Sequence, residues 1–196
     1  MPRRVLITGA SRGIGKAIAE KYKAEGWETL TPTRQELDLS KRGAPTEYRK
    51  KYAYVDALIN NAAINNEHLY NYEESMRVNY HAAKNLVIEY TPEMAVRRWG
   101  RIVNISSCSS VLGRGSERLD YSASKAALDA LTRCYAKSYS TFLLINSVCP
   151  GFVDTDMTNQ NLSYTEQQEI KKQIPAGRLA QPKEIAEFVY FLGSEK

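Results

Sequence analysis

The 196 residues are 43% hydrophobic and 25% charged, enough apolar material for one core, and a chain of this length buries roughly 70% of its unfolded surface. Three cysteines, 11 glycines and 7 prolines exclude a disulfide scaffold, a collagen-like fibre and a low-complexity chain, and no apolar run approaches the roughly 20 residues that span a bilayer. The net charge of +5 comes from 27 basic and 22 acidic side chains, but short pairs such as Lys50-Lys51, Arg97-Arg98 and Lys171-Lys172 read as solvated helix faces, not a nucleic-acid footprint.

In chain order, residues 3–8 are a short β-branched run ending at Gly9, the pattern of a buried strand. Ile14, Ala17, Ile18 and Tyr22 then recur at helical spacing as far as Gly26, a C-cap candidate. Residues 27–31 are extended again and Pro32 ends their pairing. Strand, glycine turn, helix and strand open a βαβ unit, so the expected fold is α/β: a parallel sheet with helices on both faces. Brief strands are expected at 36–39 and 56–60, and a mostly helical stretch at 72–96 with a break or kink at Pro92. A strand at 101–106 is followed by a helix at 120–139 with Asp120 as its cap, and a strand at 143–148 stops before Pro150-Gly151. The last third is polar through Gln173 and ends in a helix begun by Pro182. No repeat or linker divides the chain, which reads as one domain, 1–196.

The turn after the first strand is Thr8-Gly9-Ala10-Ser11-Arg12-Gly13-Ile14-Gly15. Glycines in this position let the backbone approach a pyrophosphate, and the helix N-terminus offers free N–H donors and the positive end of its dipole. The alternative is an ordinary tight turn. A bare ribose 2′-hydroxyl is usually met by an acidic residue after the second strand, whereas a 2′-phosphate requires positive charge. Here Thr33 and Arg34 follow that strand, no acid appears until Glu36, and Arg12 lies in the turn itself. NADP(H) is expected over NAD(H); the other reading is two solvated arginines.

Tyr121-Ser122-Ala123-Ser124-Lys125 opens the long helix, and i,i+4 spacing puts phenol and ammonium on one face. A free phenol has a pKa near 10, and a nearby ammonium lowers it, so the pair is a usable proton shuttle for carbonyl–alcohol chemistry. Alone, the spacing is common. Upstream, Asn104-Ile105-Ser106-Ser107 ends a strand where an α/β sheet places ligand-binding groups, and a hydroxyl there suits a carbonyl oxygen. Cys108, Cys134 and Cys149 are far apart and neither His68 nor His81 has a partner at metal-ligand spacing, so no metal is expected.

Together these motifs resemble the short-chain dehydrogenase/reductase family, over nearly the whole chain and nearest to its 3-oxoacyl-[acyl-carrier-protein] reductases. The glycine turn matches the family's Thr-Gly-x-x-x-Gly-x-Gly, and Asn60-Asn61-Ala62-Ala63 matches Asn-Asn-Ala-Gly with Ala63 in place of the glycine. Val78-Asn79, Ser107, Tyr121 and Lys125 resemble the catalytic tetrad; Cys149-Pro150-Gly151 resembles the segment at the nicotinamide. Residues 174–178, Pro182 and Glu184 resemble the late loop and helix. The resemblance implies a Rossmann-like doubly wound sheet. It also implies that Tyr121 protonates a carbonyl oxygen, Lys125 holds the nicotinamide ribose, Ser107 (or its neighbour Ser106) binds the carbonyl oxygen, and Asn79 holds a relay water. Gly9, Ser11, Arg12, Gly13, Ile14 and Gly15 would take the pyrophosphate side, with Arg34 at a 2′-phosphate. Asp38 and Leu39 would contact adenine, Asn61, Ala62 and Ala63 the adenosine half, and Pro150, Gly151, Val153 and Thr155 the nicotinamide end. In the blander reading, Asp38 caps a turn and Asn79 bonds within its helix.

Two departures stand out. Residues 34–38 leave no room for the helix that normally joins the second and third strands, so the adenine side is trimmed. After Phe191-Leu192-Gly193 the sequence stops at Lys196, where the family continues into one more strand, so a sheet lacking its last strand is expected, with an edge that needs cover. Residues 152–173 would form a lid that mixes Phe152, Met157, Leu162 and Tyr164 with polar side chains and leaves the substrate open. The expectation is an NADP(H)-dependent oxidoreductase for a small carbonyl or secondary alcohol. It is expected to be cytoplasmic, since no secretory signal is read at the start, to bind neither nucleic acid nor membrane, and to form a homodimer or homotetramer. The rival is a non-catalytic NADP(H)-binding or scaffolding protein.

Overall fold

The β-branched opening run forms β1 (Arg4–Ile7), whose Val5, Leu6 and Ile7 are fully buried. A computed structural model describes residues 2–65, 72–113, 115–139 and 141–195. The further strands β2 (Glu28–Leu30), β3 (Ala57–Asn60), β4 (Gly100–Ile105) and β5 (Leu143–Val148) all run parallel to β1, in the order β2-β1-β3-β4-β5. From β1 the chain moves outward to β2 and then crosses back past β1 to β3, so the order reverses at the carboxyl ends of β1 and β3. In an open parallel sheet that crevice is where ligands bind.

Strand alternation sorts the core into two layers. Leu6, Leu58 and Ile102 face a cluster with Val87, Tyr90 and Leu128. Val5, Ile7, Ile59, Val103 and Ile105 face the opposite cluster with Ile18, Val189 and Tyr190. The first layer is covered by α2 (Ala44–Lys51), α4 (Ala82–Arg97) and α6 (Leu119–Tyr139), the second by α1 (Gly13–Ala24) and α9 (Pro182–Gly193). Because both faces are buried, the central strands read as continuous apolar runs. At the end of α1, Gly26 adopts φ +81° and the amides of Gly26 and Trp27 reach back to the carbonyls of Lys23 and Tyr22. That is the reciprocal closure of a left-handed helix end, and the Tyr22 and Trp27 rings pack edge-on beneath it.

Four expectations are corrected. The helix for which residues 34–38 left no room is present: α2 joins β2 to β3, because the third strand is at 57–60 and not at 36–39. Residues 36–39 are a turn, not a strand: Glu36 accepts from Thr33 through both N and Oγ1, and Asp38 accepts from the N and Oγ of Ser40. These local side-chain bonds compete with a ladder; Leu37 goes into the core and Leu39 packs half-buried against it. The stretch 72–96 is irregular at 77–81, not at Pro92. It forms α3 (Tyr72–Met76), a π-helical turn (Arg77–His81) and then α4, which runs through Pro92 unbroken. The carbonyl that Pro92 leaves without a partner belongs to Ile88, on the exposed side of the helix. Asp120 lies inside the first turn of α6, because a 3₁₀ turn (Ser116–Arg118) feeds directly into that helix.

Between β4 and α6 lies α5 (Ser109–Leu112); after β5 come α7 (Asp156–Asn161) and α8 (Tyr164–Gln173). The two ends of this excursion are tied by a bridge between Val153 and Ala180. Arg178 then grips Glu184 with two bonds of 2.7 and 2.8 Å and, with the Gln181 amide, holds its carboxyl down to about 2. Among the described residues no strand follows α9, β5 pairs with β4 alone, and no helix is long and apolar enough to cross a membrane. His68 and Lys196 lie outside the described residues.

Candidate active site

The carboxyl ends of β1, β3, β4 and β5 enclose a cavity of about 330 Å³. A second cavity of about 310 Å³ continues from it across Gly9, Ser11, Ala62 and Ala63 towards the segment after β2.

Their shared wall is the glycine turn laced to the end of β3. Thr8 Oγ1 accepts from the amides of Asn61 (3.0 Å) and Ala62 (3.1 Å), while Asn61 Nδ2 donates to the carbonyls of Thr8 and Gly9, both at 3.0 Å. A Cβ on Gly15 would overlap both the Gly9 carbonyl oxygen and that Asn61 amide, so only glycine fits. Arg12 stands at the N-cap of α1 with no side-chain capping bond, which leaves the first-turn amides for a ligand. A bare backbone facing a helix N-terminus fits a dinucleotide pyrophosphate. Gly13 packs against Thr155, whose hydroxyl caps α7, and Arg12 lies 3.5 Å from Asp156, so the turn touches the base of the lid.

At the end of β4, Ser106 is buried and its Oγ donates to the Lys125 carbonyl at 3.3 Å. Ser107 is half-buried, lines the cavity, and shares a 2.6 Å hydroxyl contact with Ser109. Across from it, α6 presents Tyr121 and Lys125 to the same cavity. The Lys125 ammonium is wholly buried and donates to the Ile105 carbonyl at 2.7 Å. Burial pushes its pKa down to about 8, against the opposing pull of the Asp129 carboxylate. Pro150, Gly151, Val153 and Thr155 close the far wall, and the Pro150 carbonyl accepts from Cys108 N at 3.0 Å.

Asn79 stands apart from the cavity lining. It sits in the π-helical turn, 1% exposed; its Oδ1 accepts from the Ile64 amide, and its Nδ2 donates to the Ile64 carbonyl and to Ser124 Oγ. It clamps the segment after β3 to the helix that carries Lys125, and π turns recur at such functional junctions.

Arg34, Asp38 and Leu39 line the second cavity and Arg12 the first, so the two arginines flank the glycine turn from different sides. Arg34 is 80% exposed and 3.8 Å from Asp38, whose carboxyl is held below its usual range chiefly by the two bonds from Ser40. Thr8, the first residue of the glycine motif, lines the second cavity, and Arg118, which the sequence reading missed, lines the first. Arg118 precedes Tyr121 by three residues, a helical spacing that was there to be read.

An open parallel sheet, a glycine cradle at its switch point and a Tyr/Lys pair at the next strand end define a nicotinamide-nucleotide oxidoreductase acting on CH–OH groups. The chain belongs to the short-chain dehydrogenase/reductase family: the family model described as enoyl-(acyl carrier protein) reductase matches residues 42–196. The 3-oxoacyl-[acyl-carrier-protein] reductase FabG of Aquifex aeolicus is 34% identical, covering 97% of this chain and 89% of that one. FabG of Escherichia coli is 32% identical over the same shares. Among solved structures, Thermoplasma acidophilum aldohexose dehydrogenase in ligand-free form superposes with TM-score 0.88 at 27% identity, covering 98% of this chain and 87% of that one. An NAD(P)-dependent protein from Beutenbergia cavernae, described as a gluconate 5-dehydrogenase and holding NADP at low occupancy, gives 0.85 at 28% identity, covering 98% and 90%.

Proposed function

We propose that this chain is an NADP(H)-dependent enzyme that interconverts a carbonyl and a secondary alcohol. The observation that carries the reading is that Ser107, Tyr121 and Lys125 line one cavity with Gly9, Gly13 and Gly15. When bound there, the nicotinamide supplies or accepts a hydride. Ser107 orients the carbonyl oxygen with its hydroxyl, since Ser106 is already committed to the Lys125 carbonyl. Tyr121 donates the proton to that oxygen in reduction and takes it back in oxidation. Lys125 offers its ammonium to the ribose and to Tyr121, one helical turn away. Asn79 holds the wall behind Lys125 through Ser124, and proton supply from solvent passes along that wall.

The preference for NADP(H) rests on charge. The nearest acids after β2, Glu36 and Asp38, are turned back onto Thr33 and Ser40, while Arg34 remains at the rim of the second cavity. The reductase names of the relatives make 3-oxoacyl thioesters the first substrates to try. Exposed Ile88 on α4 and Phe188 and Phe191 on α9 suit contacts between copies in a homodimer or homotetramer.

Calorimetric titration with NADPH and NADH tests the cofactor, and steady-state turnover of Tyr121→Phe tests the chemistry. Tighter NADPH binding that weakens in Arg34→Ala, with turnover lost and binding kept in Tyr121→Phe, is expected. Binding of neither nucleotide overturns the reading. Binding with turnover unaffected by Tyr121→Phe favours the non-catalytic rival.

A further inference from the structure

One turn beyond Lys125 on α6, Asp129 is 8% exposed and takes no part in lining either cavity. Its carboxylate is held from β5 by Ser147 Oγ at 2.5 Å, and Cys149 Sγ approaches its two oxygens at 3.8 and 3.9 Å. Burying a carboxylate is unfavourable unless hydrogen bonds and an opposite charge offset the lost hydration. The hydroxyl and thiol are neutral donors, so the opposite charge must come from elsewhere.

Lys125 poses the complementary problem. It is only 2% exposed, and its ammonium donates to a neutral acceptor, the Ile105 carbonyl of β4. The titratable groups that face it are Tyr121, whose ring centre is 5.7 Å from Nζ, Asp129 on its own helix, and Cys149 beyond β5. Just beyond β4, Ser106 bonds the Lys125 backbone carbonyl and not its ammonium, and one residue before Lys125 lies the neutral pair Asn79–Ser124. Of these only Asp129 is a carboxylate. Four residues apart on one helix, the two charges share a flank of α6 in a medium of low dielectric, where attraction acts beyond direct contact.

We propose that Asp129, fixed by the Ser147 hydroxyl, is a positioning residue that keeps the Lys125 side chain charged and therefore able to serve the cavity. Ser147 matters because a carboxylate free to rotate towards the exposed side of Cys149 would be hydrated and would lose its hold on the buried ammonium. The coupling is a property of the chain without nucleotide; only its consequence for turnover rests on the function proposed above.

The test reads Lys125 directly. Chain labelled with ¹³C in lysine is titrated without nucleotide from about pH 6 to about pH 11, and the Cε signal with the low midpoint is assigned by its absence in Lys125→Met. Asp129→Asn keeps the shape and an acceptor for Ser147 while removing the charge. The expected result is a midpoint lower by about one pH unit, the usual size of losing one opposite charge at close range. Ser147→Ala keeps the charge and loosens it, so a smaller shift in the same direction is expected. That variant carries the test where Asp129→Asn fails to fold. An unchanged midpoint in the folded variants overturns the proposal and leaves Asp129 a packing residue. The high-pH limb of NADPH-dependent turnover should move with the midpoint. A midpoint that shifts while the limb stays fixed upholds the coupling and removes Lys125 from the rate-determining chemistry.

Discussion

The ammonium nitrogen of Lys125 stands 5.7 Å from the ring centre of Tyr121 while donating to the Ile105 carbonyl at 2.7 Å. One helical turn and one strand end thereby converge on a single buried cation. Its nearest bonded acceptor is neutral, so the site holds positive charge at the expense of fold stability, as catalytic groups often do.

That expense has a pH signature. The folded pKa of Lys125, about 8, lies below the ordinary lysine value of 10.5. Between those two values the unfolded chain binds the extra proton, so this residue's contribution makes stability rise with pH in that window. Below about pH 8 the full penalty is present, on the order of 3 kcal/mol for a shift of this size. Lys125→Met, which also leaves the Asp129 carboxylate without its opposite charge, should therefore lose stability relative to the parent as pH rises from about 8 towards 10. Urea unfolding of both proteins at several pH values measures this, and a difference that stays constant with pH would contradict it.

Gly15→Ala should remove nucleotide binding through geometry alone. The added methyl group overlaps the Gly9 carbonyl oxygen and the Asn61 amide, two backbone-anchored groups that are bonded to each other at 3.0 Å. Relief requires opening the turn that faces the helix N-terminus. A loss of NADPH affinity of at least tenfold is expected, together with about 1–3 kcal/mol of stability from overpacking. Calorimetry and thermal unfolding read the two effects separately.

What could be read in the sequence follows physical range. β5 matches its expected span because its apolar run buries Leu143, Ile145 and Val148 and ends against Pro150-Gly151. α9 begins at Pro182 because proline suits a first helical position. The turn at 36–39 was misread because an alternation of apolar and polar residues there hides four side-chain bonds that favour a turn. The π-helical turn had no local signature. It is pinned by Asn79, whose partners Ile64 and Ser124 lie 15 and 45 positions away. The Asp129–Ser147 bond likewise joins two elements that only the folded sheet brings together. The glycine cradle and the Tyr121/Lys125 pair were legible because each is a short motif whose spacing is its geometry.

Asp56 should prove a structural linchpin of the amino-terminal half. One of its oxygens accepts from the Arg4 amide at 2.7 Å, the other from Arg97 Nη1 at 2.5 Å, and Arg97 Nη2 reaches the Val55 carbonyl at 2.7 Å. It thus joins β1, the entry to β3 and the end of α4, with its side chain only 14% exposed. Asp56→Ala leaves a backbone donor and a guanidinium without their acceptor and should cost about 2–4 kcal/mol. A double-mutant cycle with Arg97→Ala should show coupling of about 1 kcal/mol or more, and strict additivity would count against the arrangement.

Tyr22 offers the opposite case, a polar group that the fold would do better without. The ring is fully buried between Trp27 and Tyr190, with centroids 5.1 Å away on either side. Its hydroxyl has no hydrogen-bond partner among the described residues and lies where α9 passes closest, against Gly193, at which any Cβ would overlap that oxygen. Burial drives the phenol's pKa well above its ordinary value. Removing an unsatisfied buried hydroxyl removes a desolvation penalty and loses no bond. Tyr22→Phe should leave stability unchanged or raise it by about 1 kcal/mol, whereas Gly193→Ala should lower it by about 1–3 kcal/mol by forcing α1 and α9 apart. In Tyr22→Phe/Gly193→Ala the smaller ring makes room for the methyl group, so the double variant should recover part of the loss. Urea midpoints of the four proteins decide it: a destabilised Tyr22→Phe would mean that the hydroxyl has found a partner, and strict additivity would mean that the two residues do not meet.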